Sequence, residues 1–141
     1  MSRRFGLSLI AMAAVFGLVL AAQEKPTMEF QDAMKSNAEV TGPMGLRAHI
    51  TAKDYDAVGK DAATLKANFT KIEAFWTQRK TDDAIAWSKA GVKAAADLDT
   101  AAKAKDDAGI AAAQRGIAAT CRDCHQEHRL MLVTENRFEI K

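Results

Sequence analysis

The chain has 141 residues, 48% of them hydrophobic, and a formal net charge of +2. This length fits one ordinary domain, and the nearly balanced charge excludes a strong general attraction to nucleic acid or to an anionic membrane. Alanine is abundant and only two prolines occur, a composition that favours an all-α protein.

The first 22 residues have the layout of a secretory signal peptide. A short basic stretch precedes an apolar run over residues 5–20, and the small residues Ala21 and Ala22 follow it. The run is shorter than the roughly 20 residues of a membrane-spanning helix, and an uncleaved N-terminal anchor is the alternative. We expect a signal peptide over residues 1–22, a mature periplasmic domain over 23–141, and no membrane attachment after cleavage.

The first predicted helix of the mature domain opens at Thr27, whose hydroxyl can cap the helix end. Phe30 and Met34 lie one turn apart and share its apolar face. Pro43 lacks a backbone donor and clashes with the preceding turn, so the sequence predicts a kink or a break there. A short helical continuation is expected over residues 44–50.

Two long amphipathic helices are predicted next. The first should span residues 54–79, because apolar residues recur at steps of three and four: Val58, Ala62, Leu65, Phe69, Ile72 and Trp76. The second should begin near Thr81-Asp82-Asp83, where a hydroxyl and two carboxylates suit a helix N-terminus. Small residues such as Gly91 dominate its apolar stripe, so a neighbouring helix can approach closely.

The last predicted helix begins near Asp106-Asp107 and continues to about Val133, and the tail over residues 134–141 is expected to be weakly structured. Four amphipathic helices joined by short connections predict an antiparallel four-helix bundle. Alanine-rich stripes fill such a core poorly. A large apolar cofactor would supply much of the missing contact.

The last helix carries both cysteines of the chain in the pentad Cys121-Arg122-Asp123-Cys124-His125. A C-x-x-C-H run is the attachment signature of a c-type haem. The two thiols can add to the two haem vinyl groups, and the histidine can bind the iron axially. In a helix, positions i, i+3 and i+4 share a face, so all three side chains can meet one porphyrin. The pentad therefore predicts one covalent haem c.

Two other chemistries compete with haem at this pentad. A structural zinc ion takes four protein ligands, whereas the pentad offers three and the chain has no second cysteine pair. Export would also permit a disulfide between Cys121 and Cys124. In that case the protein would be a haem-free helical module.

The residues themselves do not determine which side chain lies on the other face of the iron. Methionine or histidine could bind there, and the candidates after signal removal are Met28, Met34, Met44 and His49. His128 lies on the same helix as the pentad and cannot reach the opposite face, so we expect it at the surface or the haem edge.

The mature chain resembles the class II c-type cytochromes, the cytochrome c′ group. The resemblance rests on the pentad in the last helix, on Arg129 one turn after the haem histidine, and on Met34-Lys35 in the first helix. It implies a periplasmic four-helix bundle, with homodimerisation in many members. It also implies thioether bonds at Cys121 and Cys124, His125 as the proximal ligand, and Met34 at the opposite haem face. Arg129 is expected to overhang the haem edge.

Two haem functions follow from this resemblance. If Met34 binds the iron, the protein is expected to transfer electrons between redox partner proteins, which the sequence does not identify. If the iron is five-coordinate, the protein is expected to bind small gases such as nitric oxide. We find no catalytic constellation in the sequence and predict that the chain is not an enzyme.

Overall fold

The computed structural model describes residues 26–132 and 137–141, so the predicted signal peptide lies outside the described residues. The described chain forms five helices and one two-stranded sheet. In order, they are α1 (Met28–Thr41), α2 (Leu46–Ala52), α3 (Tyr55–Arg79), α4 (Asp82–Ala104), α5 (Asp107–His128), β1 (Arg129–Leu132) and β2 (Arg137–Ile140). Of these helices, none combines the length and the apolar character that crossing a membrane requires.

The four long helices form a bundle, which confirms the predicted helical architecture. Helix α3 packs along α4, and α4 packs along α5. Because each of these pairs is joined by only two residues, the partners run antiparallel. Helix α1 packs on α3 in the opposite direction, since the Phe30 ring lies 4.1 Å from that of Phe75 while Asn37 contacts Asn68. The short α2 also packs on α3.

Side-chain caps position three of the long helices. Thr27, Asp54 and Asp106 each accept a hydrogen bond from a backbone N–H two or three residues later, at 3.0–3.3 Å. These bonds satisfy donors that have no partner inside the helix, and they confirm the predicted starts. At the start of α4 the Thr81 side chain makes no such bond. Asp83 instead accepts the N–H of its neighbour Ala84 at 2.8 Å.

Three helices end on a lysine in the left-handed conformation. Lys53, Lys80 and Lys105 have φ angles of 54–56°, and their N–H groups bond to carbonyls of the preceding turn. Each lysine is followed at once by the N-cap residue of the next helix. The turn between helices is therefore two residues long, which leaves little freedom in the relative placement of α3, α4 and α5.

The predicted interruption near Pro43 is present. Helix α1 ends at Thr41, and α2 begins at Leu46 rather than at residue 44. A Cβ on Gly45 would collide with the carbonyl oxygen of Val40, so this position requires glycine for the close backbone approach.

The core contains the predicted stripe of α3, all of whose members are buried: Val58, Ala62, Leu65, Phe69, Ile72 and Trp76. The small residues of α4 admit a close approach, since a Cβ on Gly91 would lie 2.5 Å from the Phe69 ring. A buried amide links α1 to α3, because Asn68 Nδ2 donates to Ser36 Oγ at 2.9 Å and to Asn37 Oδ1 at 3.0 Å. These two hydrogen bonds fix the position of α1 along the axis of α3.

The C-terminal prediction was wrong in two respects. Helix α5 ends at His128 instead of near Val133, and the tail pairs as an antiparallel hairpin in which Arg129 faces Ile140. The short apolar run after Arg129 fits a continued helix and a strand equally well, so periodicity does not distinguish these two structures. The extended path buries Ile140 and lets Lys141 donate to the carbonyl of His128 at 3.0 Å. That bond satisfies a carbonyl at the end of the helix.

Candidate cofactor site

A cavity of about 410 Å³ lies between the first and last helices of the bundle. Helix α1 packs on α3 and α5 packs on α4, but α1 and α5 have few close backbone contacts with each other. A second cavity of about 170 Å³ adjoins the first, and Met34, Ala38, Cys124 and His125 line both. We refer to the two together as the α1–α5 groove. Its volume falls within the roughly 300–1,000 Å³ of ligand-binding cavities.

The three chemically distinctive residues of the pentad all line the α1–α5 groove. Cys124 is buried, while Cys121 and His125 are half-buried. Cys124 and His125 line both cavities, and Cys121 lines the smaller one. The helix thus turns the two sulfurs and the imidazole toward one space, as the i, i+3, i+4 spacing predicts.

Both cysteines are free thiols held in an environment that disfavours the thiolate. Burial raises the pKa of Cys124 to about 11, with further contributions from the neighbouring Cys121 and from Asp83. Burial also raises the pKa of Cys121. Cysteines of thiol–disulfide exchange proteins have lowered pKa values, because the thiolate is the nucleophile. The cysteines of this site have raised rather than lowered pKa values, so they do not match those of a thiol–disulfide exchange site.

The imidazole of His125 is held in its neutral form at pH 7. Burial lowers its pKa, and the positive charge of Arg129 lowers it further. A neutral imidazole is the form that binds a metal ion, because protonation occupies the nitrogen lone pair. The surroundings of His125 therefore favour ligation over ion pairing.

Met34 lies on the wall of the α1–α5 groove that faces the pentad. Its side chain is half-buried against the core, and it lines both cavities. The other three candidate iron ligands lie elsewhere. Met28 and Met44 are 71% and 85% exposed, and His49 Nδ1 lies 2.6 Å from the Asp61 carboxylate. Of the four candidates, Met34 is thus the one that shares a cavity with His125.

A cluster around His128 was not foreseen from the sequence. Its side chain is only 16% exposed, its ring centroid lies 4.9 Å from that of Trp76 and 5.8 Å from that of Trp87, and its Nε2 lies 3.1 Å from Asp83 Oδ2. Desolvation would raise the pKa of Asp83, but its hydrogen bonds with the Ala84 N–H and with His128 lower it overall. His128 therefore forms part of the groove wall.

The Trp76 side chain, whose ring packs against His128, carries an unsatisfied donor. It lines the larger cavity, and its Nε1 is a buried atom with no hydrogen-bond partner among the described residues. A buried donor left without an acceptor costs about 1–3 kcal/mol.

The rim of the larger cavity is polar on three sides. Lys35 comes from α1, Arg129 from the start of β1, and Glu139 from β2, where the apolar Ile140 also lines the cavity. Partial burial lowers the pKa of Arg129. Arg129, in β1 rather than in the predicted continuation of the last helix, thus lines the larger cavity together with Glu139 and Ile140 of the hairpin.

The described side chains do not form a ligand set for a bare metal ion. Across residues 26–132 and 137–141, no group of three or more His, Cys, Asp or Glu side chains is arranged to hold one. A tetrahedral zinc site needs four such ligands, so zinc does not fit this pentad. Comparison of the chain with protein-family models, curated proteins and solved structures found no match.

Proposed function

We propose that this chain is a periplasmic c-type haem protein that transfers single electrons between redox partner proteins. The observation that carries the proposal is the placement of Met34 on one wall of the α1–α5 groove and of Cys121, Cys124 and His125 on the other. This donor set consists of two thiols, one neutral imidazole and one thioether. It matches a covalent haem with an axial ligand on each face.

The groove residues have separate roles in this proposal. Cys121 and Cys124 would hold the haem covalently, each S–H adding across one vinyl C=C so that sulfur bonds one carbon and hydrogen the other. His125 and Met34 would hold the iron. When bound, haem supplies an iron that alternates between the ferrous and ferric states. A methionine–histidine ligand pair raises its potential.

The fold keeps the two ligand walls in fixed positions. The Asn68 amide bonds to Ser36 and Asn37, which lie within one turn of Met34. The two-residue turns hold α5 against α4. Because neither wall has to move, a change of iron charge would require little rearrangement, which suits an electron carrier.

Substitution at Met34 tests this function in protein made by a host that attaches haem. We expect the purified protein to carry one haem by mass, to be low-spin, and not to bind carbon monoxide rapidly when reduced. Met34→Leu preserves the apolar volume and removes the sulfur, so it should convert the iron to the high-spin state and open it to carbon monoxide. Met28→Leu is the matched control because Met28 is 71% exposed, and it should leave the spectrum unchanged.

Other outcomes would support the other readings. High-spin iron in the wild type that Met34→Leu does not alter would indicate a five-coordinate gas-binding protein. A colourless product whose mass equals that of the unmodified chain would contradict both haem functions. A mass two hydrogens lower would instead indicate the Cys121–Cys124 disulfide.

A further inference from the structure

We propose that Asn68 is a positioning residue that holds Met34 at the sixth coordination position of the iron. This inference rests on the proposed function, and it adds the side chain that decides between a six-coordinate and a five-coordinate haem. Asn68 lines neither cavity of the α1–α5 groove. It would therefore act on the iron through helix α1, without contact to the cofactor.

The Asn68 amide joins α3 to the turn of α1 that carries Met34. Its Nδ2 donates to Ser36 Oγ at 2.9 Å and to Asn37 Oδ1 at 3.0 Å. Asn68 is 7% exposed and Asn37 is 6% exposed, so water competes little for the bond between them. Across residues 26–132 and 137–141, no other side-chain hydrogen bond joins α1 to another helix.

An aromatic contact holds α1 on the other side of Met34. Phe30, one turn before Met34, has its ring centroid 4.1 Å from that of Phe75 and 5.8 Å from that of Trp76. Dispersion contacts of this kind act in no particular direction, whereas a hydrogen bond needs its donor and acceptor within about 3.2 Å. A slide of α1 by one residue is about 1.5 Å, and it would disrupt both bonds of Asn68. The amide therefore sets the position of Met34 along α3.

The placement of the Met34 sulfur depends on how α1 sits on α3. Helix α1 has few close backbone contacts with α5, so its packing on α3 determines the span from Met34 to His125. A functional side chain must be held within about 0.5 Å of its productive position. Methionine has three rotatable bonds and does not fix its own sulfur. Asn68 supplies the directional contact that α1 needs.

Loss of the Asn68 amide should open the sixth position of the iron for a larger fraction of the time. Asn37 would remain buried without its donor, and Ser36 would lose the same partner. Carbon monoxide competes with Met34 for ferrous iron, so its association rate reports the open fraction. We expect Asn68→Ala to raise that rate about tenfold. Such a change corresponds to about 1.4 kcal/mol, which suits the loss of buried hydrogen bonds.

The test compares Asn68→Ala with Val58→Ala in the full, haem-loaded protein. Val58 is fully buried in the same helix, and it lies ten residues before Asn68, or about 15 Å along the axis. It is beyond the end of α1, because α1 runs antiparallel to α3 and ends one turn after Asn37. Val58→Ala should lower the unfolding free energy in urea and keep the wild-type carbon monoxide rate. Asn68→Ala should raise that rate and weaken the sulfur-to-iron band of the ferric protein.

A second pair of variants separates the hydrogen bond from the overall stability. Ser36→Ala removes one acceptor of the Asn68 amide at a half-buried position, and alanine gains helix propensity there. We therefore expect a folded protein whose carbon monoxide rate rises about threefold, as suits the loss of one hydrogen bond. Ser36→Thr keeps the hydroxyl and should retain the wild-type rate.

Two results would overturn this inference and leave the proposed function intact. One is a wild-type carbon monoxide rate in low-spin, haem-containing Asn68→Ala and Ser36→Ala. The other is an equal rise in Val58→Ala, which would assign the effect to lost stability. High-spin iron in the wild type, or a product without haem, would contradict the proposed function and this inference with it.

Discussion

Replacing Gly91 by alanine should destabilise the protein, although the same change normally strengthens a helix. Gly91 lies inside α4, where Gly→Ala gains about 1 kcal/mol of helix propensity. The new Cβ would lie 2.5 Å from Cδ1 and 2.6 Å from Cε1 of the buried Phe69 ring. Those separations are about 1 Å shorter than an ordinary carbon–carbon contact. Relieving such overpacking costs about 1–3 kcal/mol, so we expect a net loss of about 1 kcal/mol.

Gly59 provides the matched control for this prediction. It lies inside α3, and a Cβ there would meet only Asp99 Oδ1, at an ordinary distance of 3.8 Å. Gly59→Ala should therefore stabilise the protein by about 0.5–1 kcal/mol. Urea unfolding of the two variants and the wild type, followed by circular dichroism, measures both changes. Similar stabilisation by both substitutions would refute the close approach of Phe69 to α4.

Three further predictions concern the helix ends. Asp106→Ala should cost about 1 kcal/mol in urea unfolding, whereas Thr81→Ala should cost clearly less, because only Asp106 caps its helix through the side chain; equal losses would contradict these caps. Lys80→Gly should raise the unfolding free energy by about 1 kcal/mol, since glycine relieves the left-handed φ of 56°; a lower melting temperature would contradict it. Hydrogen bonds from Lys53 and a tyrosine hydroxyl lower the pKa of Asp107. The contribution of the ionised Asp107 carboxylate to the unfolding free energy should therefore be present above about pH 4, and it should disappear as the pH falls through the lowered pKa. The stability gap between wild type and Asp107→Asn should close in acid, and a gap constant between pH 7 and pH 2 would refute this assignment.

The sequence predicted where the long helices begin better than where they end. Thr27, Asp54 and Asp106 are side-chain caps, and their hydrogen bonds are local, so the residue type alone identifies them. The ends were predicted less evenly. Helix α3 ends at Arg79, as predicted, whereas α5 ends at His128 rather than near Val133, where the tail pairs as a hairpin.

The site shows the same division between local and tertiary information. The spacing of Cys121, Cys124 and His125 places them on one helical face, and the groove lies on that face. Met34, on the other wall, was singled out from the other candidate ligands by the family resemblance. Local sequence did not identify it, because nothing local distinguishes one methionine from another.

The cluster around His128 could not be predicted from local patterns. Asp83 looked like a capping carboxylate, and it does accept a backbone N–H, but its second oxygen bonds to His128 from another helix. The orphaned donor of Trp76 is likewise invisible in a sequence, because burial without a partner is a property of the packed core.

The α1–α5 groove joins parts of the chain that are far apart in sequence. Met34 and His125 are 91 positions apart, whereas the α3–α4 and α4–α5 pairs close over two-residue turns. Contacts between distant segments pay the larger loop-closure entropy and form slowly. The three C-terminal helices can therefore assemble before α1 docks. In the proposed haem protein, the cysteines would remain accessible during that interval for attachment of the haem, and docking of α1 would then complete the enclosure.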